Sequence, residues 1–361
     1  MSNAIHVAMC ADAPSDDEWR DLQPGIPGEH QFLSRGWYCS WGAAFLPMGR
    51  WDGPLQWLVA RDPKRGLMGV LPLAKQRIGM SVTLSLAGYY WPFRSFPFNA
   101  EFADDIASAA AAWATTNAAS VPWRFGPVPR GTRAVEALID AFTRHGWLAM
   151  EKRIGETYSL NVGPKNGLDE AVANLKKKVS YYERRMRRSG DVDIRTVPLR
   201  AGGRCDELLR DLETIEERSW VAKQQDGKPK FIGARNRTFW THLSTSRHSE
   251  MLQPMLLYFG GRPVSYSLNI DAGNTRYIIA NGYDEEFAIH SPGMLLTYYV
   301  LRDAETAGRS TIEWGQGDSG YKSRWGAVEN LRLVDLLMLP RTASGYIGMK
   351  LLSRANYVRL S

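Results

Sequence analysis

The stretches TRYIIANGY (275–283), HSPGMLLTYYVLRDAETAG (290–308) and STIEWGQG (310–317) decide the fold class. The first and third are short and contain β-branched and aromatic residues, which is typical of strands. The second begins its apolar run after Pro292, and proline is favoured in the first turn of a helix. This order of strand, helix and strand predicts an α/β fold.

The flanking sequence on both sides of these stretches continues the alternation. Upstream we predict a helix over 168–189, a strand over 191–197, helices at about 206–222 and 235–246, and strands over 251–261 and 262–271. Downstream we predict a short helix over 321–325 and a strand over 331–339. The second half of the chain is therefore expected to form one mixed sheet flanked by helices.

A comparable order occupies the first half, although no sequence repeat relates the two halves. It comprises a helix over 32–45, strands over 55–62, 66–76 and 81–88, a helix over 103–119, a strand over 121–128, a helix over 132–145, and strands over 147–151 and 157–162. A chain of 361 residues exceeds the usual length of one domain. We therefore predict two α/β domains, residues 1–163 and 164–361, divided at Gly163-Pro164.

Several motifs carry a resemblance to a known family. They are HSPGMLLTYYVLRDAETAG (290–308), STIEWGQGDSGYKSRWG (310–326), LKKKVSYYERRMRR (175–188), IEERSWVAKQQDGKP (215–229) and FLSRGWYCSWGAAF (32–45). Together they resemble the GNAT-related acyltransferases of the CelD type, from bacterial cellulose biosynthesis, and more distantly the FemAB peptidoglycan-bridge enzymes. The resemblance implies two tandem GNAT-like domains, each a mixed β-sheet flanked by helices, and acyl transfer.

The junction Ser291-Pro292-Gly293 is the predicted donor site, with Tyr283 at the end of the preceding strand. Free amide groups at a helix start can hold a pyrophosphate. In the resembled family this junction binds coenzyme A, so acyl-CoA is the expected co-substrate. Only Gly293 stands for the family's glycine-rich signature, which leaves another acyl carrier open, and an ordinary proline-initiated helix is the structural alternative.

Asp318, Tyr321 and Lys322 are the predicted catalytic residues, because they follow a glycine-rich turn within one helical turn of each other. Such groups can orient an amine, stabilise an oxyanion or protonate a leaving thiolate. The alternative is that Asp318 caps a short helix while the other two pack. The resemblance adds four substrate-binding candidates: Trp220, Lys223, Trp314 and Arg324.

Composition limits the partners. The net charge of +7 and the pI near 9.2 suit an anionic ligand, such as a nucleotide-bearing cofactor, a lipid-linked sugar phosphate, a membrane face or RNA. No recognised nucleic-acid module is visible, so DNA is not expected and tRNA is disfavoured. Three scattered cysteines and the lack of paired histidines predict no metal site. The N-terminus lacks the pattern of a signal peptide, so a cytoplasmic protein is expected, with peripheral membrane proximity left open.

The resulting hypothesis is an N-acyltransferase that moves an acyl group from acyl-CoA to an amine of a sugar or envelope precursor. No GxSxG elbow is present, as expected for a reaction that needs no serine nucleophile. Two alternatives remain open. They are an aminoacyl-tRNA-dependent transferase of the FemAB kind, and a non-catalytic binding module in polysaccharide assembly.

Overall fold

The computed structural model describes residues 5–47, 49–78, 81–88, 94–162, 168, 172–199, 203–223 and 229–360. The chain folds into two compact units. Unit 1 comprises Met1–Glu156 and Leu331–Ser361, and unit 2 comprises Thr157–Asn330. The predicted dividing point, Gly163-Pro164, lies outside the described residues.

Unit 1 contains the first six strands and four helices, together with the C-terminal elements. Its strands are β1 His6–Cys10, β2 Trp51–Asp62, β3 Gly66–Ile78, β4 Ser81–Leu86, β5 Trp123–Pro129, β6 Leu148–Asn161, β12 Val328–Leu339 and β13 Val358–Arg359. Its helices are α1 Asp16–Leu22, α2 Arg35–Phe45, α3 Ala103–Asn117, α4 Arg133–Arg144 and α11 Ala343–Ser353. Strands β6 and β12 each have one end in unit 2.

The unit 1 sheet is mixed, with the order β1-β2-β3-β4-β5-β12-β6. The pair β4–β5 is parallel, whereas β1–β2, β2–β3, β3–β4 and β5–β12 are antiparallel. The alanine-rich face of α3, from Ala103 to Ala114, packs against this sheet, and Trp123, Phe125 and Phe142 fill the core. Small side chains on α3 let the helix approach large aromatic side chains on the strands.

Unit 2 has its own sheet and helices. Its strands are β7 Val192–Thr196, β8 Met255–Phe259, β9 Arg262–Ala272, β10 Thr275–Tyr283 and β11 Thr311–Gln316. Its helices are α5 Ala173–Ser189, α6 Gly203–Glu217, α7 Trp220–Lys223, α8 Ala234–Ser244, α9 Pro292–Thr306 and α10 Tyr321–Arg324. The strand order is β6-β11-β10-β9-β8-β7, and only β10–β11 is parallel among the described pairs.

Arg276 ties three elements of unit 2 together. Its side chain is 1% exposed. It pairs with Asp271 on β9 at 2.7 Å and with Asp303 on α9 at 2.6 Å, and it donates to the Val300 carbonyl at 3.2 Å. Because the ladder β9–β10 and helix α9 share this one guanidinium, the C-terminal half of α9 is held beside β10.

The predicted fold class is confirmed, since each unit is a mixed sheet flanked by helices. The division of the chain differs from the predicted one, because residues 331–361 belong to unit 1 rather than to the second domain. The reason is that β12 pairs with β5, while Leu337 and Leu339 pack with Leu148 and Met150.

Two predicted element boundaries differ from the observed ones. The strands predicted over 147–151 and 157–162 are one strand, β6, because its first part pairs with β13 and its last part with β11. The helix predicted over 206–222 breaks after Glu217, where the Ser219 hydroxyl donates to the Glu216 carbonyl and accepts from the Val221 amide. Elements β1, α1, α11 and β13 were not predicted.

Candidate functional site

The parallel strands β10 and β11 of unit 2 pair for a short distance and then part. Their register is Thr275 with Thr311, Arg276 with Ile312, and Tyr277 with Glu313. Both strands continue beyond these pairs, to Tyr283 and Gln316. Irregularities in the ladders on either side, at 278/280 and at 313/316, accompany the separation. The unit therefore has an opening bounded by the second half of β10 and by the residues from Glu313 onward.

Glu313 is a buried carboxyl group at the last paired position, with 2% exposure. Its Oε2 accepts hydrogen bonds from Thr157 at 3.2 Å and Asn330 at 3.0 Å, and its Oε1 accepts from the Gly315 amide at 2.9 Å. Burial raises its pKa to about 7, even though these hydrogen bonds and the charge of Lys322 act in the opposite direction. A carboxyl group with this pKa is suited to accept and release a proton near neutral pH.

Lys322 supplies a buried amine to the same region. Its side chain is 4% exposed, and its Nζ donates to the carbonyl oxygens of Gly315 at 3.1 Å and Gln316 at 3.0 Å. Burial lowers its pKa to about 8, while Glu313 and Asp318 act to raise it. Two coupled groups with displaced pKa values at one strand end are typical of functional sites.

Tyr321 reaches from α10 to the other side of the opening. Its hydroxyl accepts a hydrogen bond from Asn281 Nδ2, on β10, at 3.3 Å. Burial raises the pKa of the phenol, so it stays protonated and can donate a hydrogen bond of its own. Tyr321 and Asn281 thus link the two parted strands at the level where β10 ends.

Asp318 has the geometry of a helix cap. Its Oδ1 accepts from the amides of Gly320 at 2.8 Å and Lys322 at 2.9 Å, and its Oδ2 accepts from the Ser323 amide at 3.1 Å. Burial acts to raise the pKa of Asp318, but these hydrogen bonds outweigh it and lower the pKa. A carboxylate with a lowered pKa that already serves three amides is a poor proton acceptor. The geometry therefore favours the capping role over that of a general base.

The start of α9 offers fewer free amides than the sequence suggested. Ser291 is left-handed, with φ of 48°, and its carbonyl accepts from the amides of both Met294 and Leu295 at 3.1 Å. Pro292 has no amide hydrogen. Among the described residues of this first turn, the Gly293 amide is the group left to bind a phosphate oxygen.

Gly293 and Tyr283 are brought together, as the predicted donor site required. A Cβ at Gly293 would lie 3.0 Å from Tyr283 Cδ1, so the glycine makes room for the tyrosine ring. This packing explains why a glycine occupies position 293, independently of any ligand.

We expect Gly293→Val to lower the free energy of unfolding by about 1–3 kcal/mol, because the larger side chain displaces the Tyr283 ring. Urea denaturation measures the change. The matched variant is Gly293→Val combined with Tyr283→Ala, which should recover most of the loss. Equal losses in the single and double variants would show that Tyr283 is not the group displaced.

The remaining candidates do not form one cluster. Trp314 is buried in the core of unit 2, and its Nε1 has no partner among the described residues. Trp220 is 45% exposed, and the exposed Lys223 forms an ion pair with Glu285. Arg324 is exposed on α10. The structure thus brings Lys322 and Tyr321 to the opening, while Trp314 serves the core.

Sequence reasoning missed Glu313 and Asn281. Glu313 stands between Ile312 and Trp314 in β11, and Asn281 follows the apolar run IIA in β10. A carboxylate in a predicted buried strand needs partners, and that requirement is the signal that was available.

Helix α5, which contains the basic motif LKKKVSYYERRMRR (175–188), has one apolar stripe. Leu175, Val179 and Met186 are buried in the core of unit 2, whereas Lys176, Lys177 and Lys178 are exposed. No helix among the described residues is long and apolar enough to span a membrane. Within the same residues, no group of His, Cys, Asp or Glu side chains is arranged to hold a metal ion.

A family model described as an acetyltransferase (GNAT) domain matches residues 173–323. Unit 2 is therefore similar to a GNAT acetyltransferase domain. The match extends from the first residue of α5 to one residue beyond Lys322, so it includes the parted strands and α9. No curated protein matches the sequence significantly.

Solved structures resemble the whole chain rather than the GNAT-like unit alone. FemX matches with a TM-score of 0.58 at 12% identity, over 92% of this chain and 98% of its own. A conserved protein of unknown function from Bacteroides thetaiotaomicron matches with a TM-score of 0.56 at 12% identity, over 91% and 98%. L-PGS from Bacillus licheniformis matches with a TM-score of 0.53 at 11% identity, over 95% and 97%. These likenesses show a shared fold.

Proposed function

We propose that the protein is a GNAT-like N-acyltransferase whose reaction takes place at the opening between β10 and β11. The observation that carries the proposal is the buried pair Glu313 and Lys322, with pKa values near 7 and 8, at the point where these strands part. A purely structural strand end does not need two displaced ionisable groups. The match of residues 173–323 to an acetyltransferase domain supports the same reaction class.

In the proposed reaction, the nitrogen of an amine acceptor attacks the carbonyl carbon of an activated acyl group. A C–N bond forms and the bond from the carbonyl carbon to the leaving group breaks. Glu313, as carboxylate, takes the proton lost by the amine, directly or through one water molecule. Lys322, as ammonium, donates a proton to the leaving group, a thiolate or an alkoxide. The Tyr321 hydroxyl donates a hydrogen bond to the carbonyl oxygen.

Acyl-CoA is the proposed donor, bound with its phosphates at Ser291 to Gly293 and its acyl group in the opening. The single unpaired amide of that turn makes a weaker phosphate site than several amides would. Because of this observation, an aminoacyl-tRNA, used by a FemAB-like transferase, is an equally supported donor. We propose an amine of a sugar or envelope precursor as acceptor, as the CelD resemblance suggests.

Thermal denaturation separates the donors and the non-catalytic alternative. A true donor binds the native state and raises the melting temperature with concentration. We propose parallel titrations with acetyl-CoA, a longer acyl-CoA, charged tRNA and uncharged tRNA. Stabilisation by an acyl-CoA supports the first donor, and stabilisation by charged but not uncharged tRNA supports the second. No stabilisation by any of them would contradict acyl transfer and favour a binding module.

The raised pKa of Glu313 can be tested before the acceptor is known. The folded protein holds this proton up to about pH 7, whereas the unfolded chain releases it near 4.5. The folded state therefore binds more protons between these values, so this contribution to stability is present below pH 4.5 and is lost as the pH rises through 7. We expect Glu313→Gln to gain stability relative to the parent across this interval, measured by urea denaturation at several pH values. A pH-independent difference would show an ordinary pKa.

Once a substrate pair is known, we expect a narrow bell-shaped dependence of kcat/KM on pH, with limbs near 7 and 8. The two limbs give the apparent pKa values of the pair. The acidic limb arises mainly from titration of Glu313, and the alkaline limb mainly from titration of Lys322. Lys322→Met should abolish the alkaline limb and move the acidic limb upward, because the charge of Lys322 holds the pKa of Glu313 down. An alkaline limb that survives this change would belong to another group.

A further inference from the structure

Unit 1 has its own pair of parallel strands that part. Strands β4 and β5 pair at Leu84 with Trp123 and at Ser85 with Arg124. Strand β4 then ends at Leu86, while β5 continues to Pro129. This opening lies in a different unit from the proposed acyl-transfer site.

Arg94 lies across this opening. Its amide donates to the Pro127 carbonyl on β5 at 2.8 Å, and its Nη1 donates to the Leu86 carbonyl at the end of β4 at 2.9 Å. The guanidinium also lies over the Trp51 ring, 5.6 Å from its centroid. These contacts fix the position of the cation between the two strands.

The next residue, Ser95, anchors Arg94 in the buried interior. Its carbonyl accepts a hydrogen bond from the Tyr38 hydroxyl, and its Oγ lies 2.5 Å from His30 Nδ1. Tyr38, His30 and Ser95 are all buried. The backbone that carries Arg94 is therefore held from both sides of the peptide, so the guanidinium is pre-organised rather than free to turn toward solvent.

The charge of Arg94 is compensated only in part by the described residues, through the charge of Asp335, with which it forms no ion pair. No carboxylate of these residues forms an ion pair with it, and its Nε is buried without a hydrogen-bond acceptor. Burial, together with the positive charge of Arg124, lowers the pKa of Arg94 to about 10, so it is charged at neutral pH. Arg124, in contrast, has an ion-pair partner, because it binds Asp335 through Nε at 3.0 Å and Nη2 at 2.8 Å.

A second donor without a partner in the described part of the chain lies on the neighbouring strand β3. Gln76 is fully buried, and its Oε1 accepts from Ser85 Oγ at 3.1 Å and from Arg124 Nη1 at 3.1 Å. Its Nε2 is buried and has no partner among the described residues. Ser85 precedes the residue whose carbonyl holds Arg94, so both unpartnered donors lie at the point where β4 ends.

A half-buried cation without an ion pair, whose Nε is buried without an acceptor, and an unused buried amide are costly for a fold. We propose that the opening between β4 and β5 binds an oxyanion, a carboxylate or a phosphate, with Arg94 as the charged ligand. An oxyanion would neutralise Arg94 and accept from its Nε. Asp335 does not supply the acceptor for this Nε, because its oxygens already accept hydrogen bonds from Arg124 and Tyr357.

The test uses the whole protein without any acyl donor, so its result is independent of the proposed transfer reaction. Melting temperature is followed during titration with inorganic phosphate and, separately, with acetate, while sodium chloride keeps the ionic strength constant. We expect one of the two anions to raise the melting temperature of the parent beyond the chloride control. Arg94→Met should lower the affinity for that anion by about 10- to 100-fold, the usual effect of losing a charge-assisted hydrogen bond.

Two matched variants distinguish the site from general effects of charge. Arg77→Met removes an exposed arginine of β3 and should leave the response unchanged. Arg94→Lys keeps the charge but loses the planar fork, and should bind with intermediate affinity. A response to phosphate alone identifies a phosphate site, and one to acetate alone identifies a carboxylate site. A parent that responds to neither anion, or an Arg94→Met variant that responds fully, would overturn the proposal.

Discussion

Glu313→Gln is expected to lower turnover by about 10²- to 10⁴-fold, the range for loss of a positioned acid–base group. Gln keeps the size of the side chain, and its single oxygen can still accept from Asn330 and Thr157, but its NH2 group cannot accept from the Gly315 amide and the side chain cannot take a proton. The loss should therefore appear in kcat rather than in donor affinity. Steady-state kinetics and donor titration of the same preparation measure the two quantities.

The matched control for this prediction is Asp318→Asn. An asparagine keeps one oxygen, which can still accept from the amides of Gly320 and Lys322, so turnover should fall far less than in Glu313→Gln. Tyr321→Phe should cause a loss of turnover between those of Asp318→Asn and Glu313→Gln, since it removes one hydrogen bond to the carbonyl oxygen. If Asp318→Asn reduced turnover as much as Glu313→Gln did, the carboxylate at 318 would be the better candidate for the general base.

Arg276→Met is expected to lower the free energy of unfolding of unit 2 by about 3–5 kcal/mol, the range for breaking a buried ion pair. The change leaves Asp271 and Asp303 without their shared partner. Asp271 keeps a second contact, with Arg309 at 3.2 Å, which places the expected loss toward the lower end. Urea denaturation measures the loss, and hydrogen exchange of the β10 and α9 amides assigns it to unit 2.

Arg309→Met is the control for Arg276→Met. It removes the partly exposed contact to Asp271 and leaves the buried pair intact, so a loss of no more than about 1 kcal/mol is expected. Similar losses in both variants would mean that Arg276 gains little from its buried position.

Local residue patterns predict the alternation of helices and strands, and with it the fold class of both units. The helix from Pro292 and the strands on either side of it are confirmed nearly to the residue, because proline, glycine and hydrophobic pattern act locally. The sequence also predicts catalytic residues at the turn after Trp314. There Lys322 and Tyr321 lie at the opening in the structure.

Which residues at that opening are chemically unusual depends on contacts that form only in the folded chain. A pKa depends on burial and on partners from distant parts of the chain, so Glu313 became conspicuous only through Thr157, Asn330 and Lys322. The same is true of Asp318, whose three amide partners make it a cap. The split of the chain at β12 likewise arose from pairing with β5, and a strand's partner cannot be read from its own residues.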